Sequence, residues 1–271
     1  MSNMSSHVKR WITGIIAVPL LIVAILYSSP LIFSLIITLL IAAGVFEYNS
    51  MIFKGKYLWE KTEGLVLAFL IPLSAYMGGL QLMFATVTFS FIMVFLLFLL
   101  RAKDGLADLT SLARVVFGFM YIPLLISYII LLRCSENGIA WVFFVIVAAF
   151  AGDTSAFYAG KSLGKTKLIP AISAGKTVEG AIGSIVGTIL VCLLFKALFL
   201  HDLSIIHAII LGFMGSIIGQ LGDLCESTVK RTSMVKDSGF FLPGHGGILD
   251  RVDSLIFMIP FVYYYNVLVI T

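Results

Sequence analysis

Apolar residues in this chain come in long unbroken runs, separated by short polar stretches that hold most of the charge. Taking about 17–25 apolar residues per membrane crossing, the pattern predicts nine helices, at roughly 11–28, 30–48, 64–79, 81–100, 112–132, 139–159, 178–199, 204–222 and 254–270. The alternation that a transmembrane β-barrel requires is absent. The third run is short and turns polar at its end, and Pro19, Pro72, Pro123 and Pro260 fall within runs, where neighbouring helices can satisfy the freed carbonyls. The predicted class is therefore all-α: a polytopic integral membrane helical bundle. It is read as one domain over residues 1–271, with lipid-embedded spans in 1–135 and spans six to nine in 136–271.

Composition agrees: 60% hydrophobic residues, 12% charged, and a mean hydropathy of +1.09. Charge adds orientation. With the N-terminus in the cytoplasm, the polar segments on that side carry all of the 18 Lys and Arg residues except Arg133 and Lys196. The positive-inside rule favours that arrangement, which places the two richest loops, 160–177 and 223–253, on one cytoplasmic face. Lys9 and Arg10 followed by an apolar run mimic a signal peptide, but no small-residue cleavage site follows, so a retained first helix is expected. Cys134, Cys192 and Cys225 lie apart with no metal-binding spacing and read as packing residues. Tyr263, Tyr264 and Tyr265 read as an interfacial or lipid-facing patch.

One polar stretch stands out, STVKRTSMVKDSGFFLPGHGGILDRVD at 227–253. It carries four Lys or Arg, three Asp, one His and four Gly between strongly apolar neighbours, while Phe240, Phe241, Leu242, Ile248 and Leu249 are apolar enough to dock. A loop of this length is usually functional or disordered, and this one reads as an anion-handling site at a membrane surface. Just upstream, Asp223, Glu226, Ser227 and Lys230 occupy i, i+3, i+4 and i+7 and share a helix face. Asp250 and Asp253 repeat the i, i+3 spacing as the last span begins. Two acidic pairs beside a basic loop suit Mg2+, which takes carboxylates together with substrate phosphates. Surface ion pairs such as Glu226–Lys230 are the plainer alternative. His245, set in PGHGG, has neighbours in Gly246 and Gly247 that allow close backbone approach to a phosphate.

Span six contains Asp153, costly within a membrane. It reads either as a structural partner for a Lys or Thr or as a carboxylate facing a polar cavity. The following loop repeats a GKT. Its first copy matches a permissive phosphate-loop pattern, but a membrane helix stands where a buried strand is needed. The second copy, Gly175-Lys176-Thr177, opens span seven, where a helix N-terminus favours anions. Glu179 in that first turn complements the helix dipole or contacts a metal or Lys176. The lysines at 161, 165 and 167 read in part as contacts to anionic head groups.

Ser227 through Arg231, Lys236-Asp237-Ser-Gly and Pro243-Gly-His245-Gly-Gly-Ile-Leu-Asp250-Arg251-Val-Asp253 together resemble the signature of the phosphatidate cytidylyltransferase (CDP-diacylglycerol synthase) family, in its bacterial type. Gly152-Asp153-Thr154 through Lys176-Thr177-Val-Glu179-Gly180 resembles that family's second marked region. The first hundred residues resemble it in hydropathy, in Arg10-Trp-Ile-Thr13-Gly14 and in Glu47. The resemblance implies that CTP and phosphatidic acid give CDP-diacylglycerol and pyrophosphate with Mg2+, with room for a second cation. It implies metal ligation by Asp223 and Asp250, with Glu226 and Asp253 as further candidates. Lys230, Arg231, Lys236, His245 and Arg251 would bind phosphates beside those aspartates. Asp153, Thr154, Lys176, Thr177, Glu179, Ser227, Asp237, Gly246 and Gly247 would complete the substrate site, in a pocket shared by spans six to nine. The implied partners are CTP, phosphatidic acid and membrane lipids, with a homodimer and without nucleic acid. The implied location is the cell's inner membrane, with the site facing the cytoplasm. Two other functions fit the residues: a CTP-dependent kinase of a polyprenol or phytol, which needs a base such as His245 or Asp153, and a secondary transporter. The transporter fits less well, because apart from Asp153 the acids lie at helix ends rather than at the midplane.

Overall fold

The computed structural model of the chain describes residues 6–55, 57–103, 108–239, 241 and 246–270, with the side chains of 6–14, 16 and 17 outside that description. Helices dominate. They are α1 (Ser6–Tyr27), α2 (Pro30–Ile52), α3 (Leu58–Lys103), α4 (Leu109–Phe119), α5 (Leu125–Arg133), α6 (Gly138–Leu163), α7 (Val178–Phe199), α8 (Ile205–Thr232) and α9 (Leu249–Tyr265). Among the described residues, seven helical stretches are long and apolar enough to cross a membrane, counting α4–α5 as one. The protein is an all-α polytopic membrane protein.

Local chemistry sets the helix ends. Ser29 caps α2 by accepting from the Ile32 N–H, and Pro30 follows at the first helical position, where its missing N–H costs nothing. Asp108, Thr177 and Ser204 cap α4, α7 and α8 in the same way. Inside α3 the helix breaks at Gly78 and Gly79, close to the predicted boundary between the third and fourth spans. Gly79 has φ +62° and ψ −155°, a conformation open essentially to glycine. Pro123 sits in a π-helical turn, Met120–Leu124, that joins α4 to α5.

Two predictions of loop are corrected. Residues 160–177 contain an antiparallel hairpin of β1 (Lys167–Ile169) and β2 (Ser173–Thr177), with Lys167 opposite Thr177 and Ile169 opposite Ser173. The loop expected at 223–253 is shorter, because α8 runs on to Thr232 and α9 begins at Leu249. Hydropathy ends a helix where charge begins, yet a helix continues through charge when the charges pair along it. Here Lys230 Nζ lies 2.5 Å from Glu226 Oε2, one turn away.

The chain divides into two compact units. The first holds residues 1–134 and 235–251. Its core includes Phe33, Ile41, Ile71, Phe119, Ile122 and Ile130, all at most 2% exposed. The two halves of α3 are tied near their far ends by Arg101, whose Nη1 lies 2.9 Å from Glu60 Oε1 and whose Nη2 lies 3.0 Å from Glu63 Oε1. Arg101→Met would leave two poorly exposed carboxylates without their cation. It should cost about 3 kcal/mol, seen as a lower melting temperature in detergent, and an unchanged melt would reduce this pair to a surface contact.

The second unit holds residues 135–234 and 252–271. Its helices approach through small residues, the usual substitute for hydrophobic driving force within lipid. A Cβ on Gly183 or Gly187 would collide with Ala159 or Ser155 of α6. On α8, Gly215, Gly219 and Gly222 face Met258, Ser254 and the Asp253 carbonyl of α9.

Candidate active site

In the second unit, α8 presents the face predicted for it. Ser227 Oγ donates to Asp223 Oδ1 at 3.4 Å, and Glu226, only 2% exposed, pairs with Lys230. Lys176 reaches Asp223 from β2, with Nζ 2.6 Å from Oδ2. From α6, Asp153 Oδ2 accepts from Ser254 Oγ at 3.3 Å, and on α9 Asp253 Oδ1 accepts from the Ser254 N–H at 2.7 Å. The charges of Asp223, Asp153 and Glu226 all bear on Asp253 and repel its carboxylate. Asp223 and Glu226 each hold a lysine, and Asp153 and Asp253 lie within electrostatic reach, so carboxylates outnumber ammonium groups in the cluster. Thr154 lies exposed on α6 next to Asp153.

The hairpin is fixed at both ends. Both oxygens of Glu179 accept from the Thr166 N–H, at 3.1 and 3.3 Å, and the Val178 N–H donates to the Thr166 carbonyl at 2.9 Å. Glu179 stands in the first turn of α7, and its carboxylate anchors the hairpin backbone. Arg231, at the end of α8, donates from Nε to the Ile172 carbonyl in the hairpin turn at 3.3 Å. Thr177 spends its Oγ1 on the Gly180 N–H. Lys176 therefore projects from a held strand, one residue before the cap of α7.

The remainder of the signature, residues 235–251, belongs to the first unit rather than with spans six to nine. There it closes around Glu47 of α2, a carboxylate only 2% exposed. Glu47 accepts from Ser238 Oγ at 3.0 Å, the Ile248 N–H at 2.9 Å and the Leu249 N–H at 3.0 Å. The last two are donors at the start of α9, where a negative charge is favoured. Asp250 Oδ2 closes the loop further, accepting from the Ser238 N–H, Ser238 Oγ and the Gly247 N–H at 3.0, 3.1 and 2.8 Å. The glycines of the signature are explained by this crowding. A Cβ on Gly239 or Gly247 would run into Glu47, and Gly246 has φ +83° and lies against Asp250. Phe241 stacks edge-on to Phe46 at 5.9 Å, the docking expected of the loop's apolar residues. Lys236, Asp237 and Arg251 are exposed on the same segment. His245, with Phe240 and residues 242–244, lies outside the described residues.

The structure thus brings Asp153, Lys176, Asp223, Glu226, Ser227, Lys230 and Asp253 together in one unit, and Gly246, Gly247 and Asp250 together in the other. Sequence reasoning missed Ser238, Ser254 and the part played by Glu47. For Glu47 the signal was available: a lone acid in the apolar run IAAGVFEYNS is as costly as Asp153.

Among the described residues, no three His, Cys, Asp or Glu side chains are arranged to hold a metal ion. Mg2+ is still a fit for the second unit. It is usually held by one or two carboxylates, with waters and substrate phosphates supplying the rest, and the cluster offers carboxylate oxygens in excess of its cations.

Over 146 residues the chain is 43% identical to the phosphatidate cytidylyltransferase of Bacillus subtilis (strain 168), covering 54% of each protein. Over 201 residues it is 36% identical to that of Staphylococcus saprophyticus, covering 72% of this chain and 74% of the relative. Over 159 residues it is 40% identical to that of Staphylococcus aureus (strain COL), covering 58% of this chain and 57% of the relative. The sequence profile of the cytidylyltransferase family matches residues 8–269, nearly the whole chain, and the chain belongs to that family.

Proposed function

We propose that this protein transfers the cytidylyl group of CTP to phosphatidic acid, forming CDP-diacylglycerol and pyrophosphate in phospholipid biosynthesis. The observation that carries the reading is the cluster of Asp153, Asp223, Glu226 and Asp253 with Lys176 and Lys230, in a chain of this family. A lipid phosphate oxygen, already anionic near neutral pH, attacks the α phosphorus. The bond to the β-phosphate oxygen breaks, and pyrophosphate leaves with that electron pair. No proton has to be removed from the nucleophile, so a site rich in charge and poor in bases suits the reaction. Its work is to hold anions in line against their mutual repulsion.

Asp223 and Asp253 would hold Mg2+, with Asp153 and Glu226 adding to the field. When bound, the ion would offset the negative charge shared by the two phosphate-bearing substrates. Lys176, Lys230 and Arg231 would contact phosphates. The distribution of Lys and Arg supports a site open to the cytoplasm in the cell's inner membrane, and light scattering in detergent would test for a homodimer.

The full chain, purified in detergent and given labelled CTP, Mg2+ and phosphatidic acid, should produce lipid-extractable cytidine label and pyrophosphate. Absence of both refutes the reading, and release of CDP instead would indicate a lipid kinase. Gly222 allows a related prediction, because its Cβ would lie 2.6 Å from the Asp253 carbonyl oxygen. Gly222→Val should force α9 away from α8 and lower turnover by about 100-fold, the scale of an ångström's misplacement. Far-UV circular dichroism should stay near normal, and retained turnover would show that the α8–α9 spacing does not matter to the chemistry.

A further inference from the structure

We infer that Lys176 is a built-in stand-in for the divalent cation: it neutralises Asp223 in the resting enzyme and is released to a substrate phosphate when the cation arrives. The inference rests on the proposed cation site at Asp223. Lys176 Nζ lies 2.6 Å from Asp223 Oδ2, and Asp223 is its partner among the described residues. A divalent ion bound to that oxygen at about 2.1 Å cannot share the same approach with an ammonium group. One must leave, and the lysine is built to move. Its charge sits on a flexible four-carbon stem; the ammonium nitrogen is buried against Asp223, while the two side chains keep about a quarter of their surface exposed, at 24% for Lys176 and 27% for Asp223.

The backbone beneath Lys176 has no such freedom. Glu179 holds the hairpin at Thr166, and Arg231 holds it at Ile172. The ammonium can therefore swing while its strand stays in place, within reach of whatever the cation brings with it. Lys230 is placed differently, because its partner Glu226 lies on its own helix and is nearly inaccessible at 2% exposure. Of the two lysines, Lys176 is the exchangeable one. The exchange keeps the cluster from carrying its full negative charge between turnovers, and it spares the arriving phosphates from meeting a cation-free carboxylate.

The test is Mn2+ binding to the purified full-length protein without nucleotide, followed by the loss of the free-ion electron paramagnetic resonance signal. Lys176→Met and Lys176→Gln, which remove the competing charge, should bind Mn2+ about tenfold more tightly than the parent, as expected for one charge removed at contact distance. Adding Asp223→Asn to either variant should abolish that gain. Mn2+ should also raise the melting temperature of Lys176→Met more than that of the parent, which a merely structural ion pair would not produce. Unchanged or weaker Mn2+ binding in both lysine variants, with binding still lost in Asp223→Asn, overturns the exchange and leaves the cation site standing. Binding that ignores Asp223→Asn, or no binding in any of these proteins, overturns both.

Discussion

Asp223→Asn is expected to abolish cytidylyl transfer while leaving the protein folded and purifiable. Asparagine keeps the size of the side chain and an oxygen for the Ser227 hydroxyl, which donates to Oδ1 at 3.4 Å. It removes the charge that faces Lys176 and that would anchor a cation. The pair is partly open to solvent, so the cost to stability should stay within about 1 kcal/mol. Turnover should fall to background at all Mg2+ concentrations, measured as pyrophosphate released per enzyme. Asp250→Asn should also lose activity, but by another route, since Asp250 Oδ2 gathers three donors from Ser238 and Gly247. The two variants separate by Mn2+ binding, which Asp223→Asn should lose. Near-normal turnover of Asp223→Asn at limiting Mg2+ would sink the cation site.

The second large effect is expected at Glu47. Glu47→Ala strands two donors, the N–H groups of Ile248 and Leu249, and leaves the Ser238 hydroxyl to Asp250. Hydrogen bonds to a charged group contribute roughly 1.5–3 kcal/mol each, so the loop should open even where the helices persist. Glu47→Gln tests the charge more finely. Ile248 donates to one carboxylate oxygen and Leu249 to the other, so whichever way the amide turns, its NH2 meets an N–H. Both variants should become susceptible to trypsin at Lys236 and Arg251, with turnover falling in parallel. Parental resistance in Glu47→Gln would show that shape, and not charge, holds the loop.

Much of the architecture was legible because lipid imposes a simple rule, long apolar helices with charge at their ends. Hydropathy located the apolar helices, seven stretches of which are long enough to cross a membrane among the described residues, and the i, i+3, i+4, i+7 spacing of Asp223, Glu226, Ser227 and Lys230 located the face that the structure presents. Hydropathy could not say that α8 continues ten residues past Gly222, because the extension carries charge that pairs along the helix. It also missed the β1–β2 hairpin, whose strands are too short and polar to carry an alternating signal and which depends on Glu179 and Arg231 from elsewhere. The glycines of PGHGG illustrate a different limit. Close approach was foreseen, but toward a phosphate, whereas Gly247 packs against Glu47 and gives its N–H to Asp250. A contact spanning some two hundred residues leaves its local trace at one end only, in the lone acid of α2.

That same contact fixes an order of events. Glu47 enters the membrane with α2, early in synthesis, whereas Ile248 and Leu249 emerge near the end of the chain. Until they do, the carboxylate sits in an apolar helix without its donors, and afterwards the first turn of α9 settles onto a partner made long before. Contacts so distant in sequence form slowly, so this loop closes only after the start of α9 has been made. A chain truncated before Ser238 would keep α2 and never complete it.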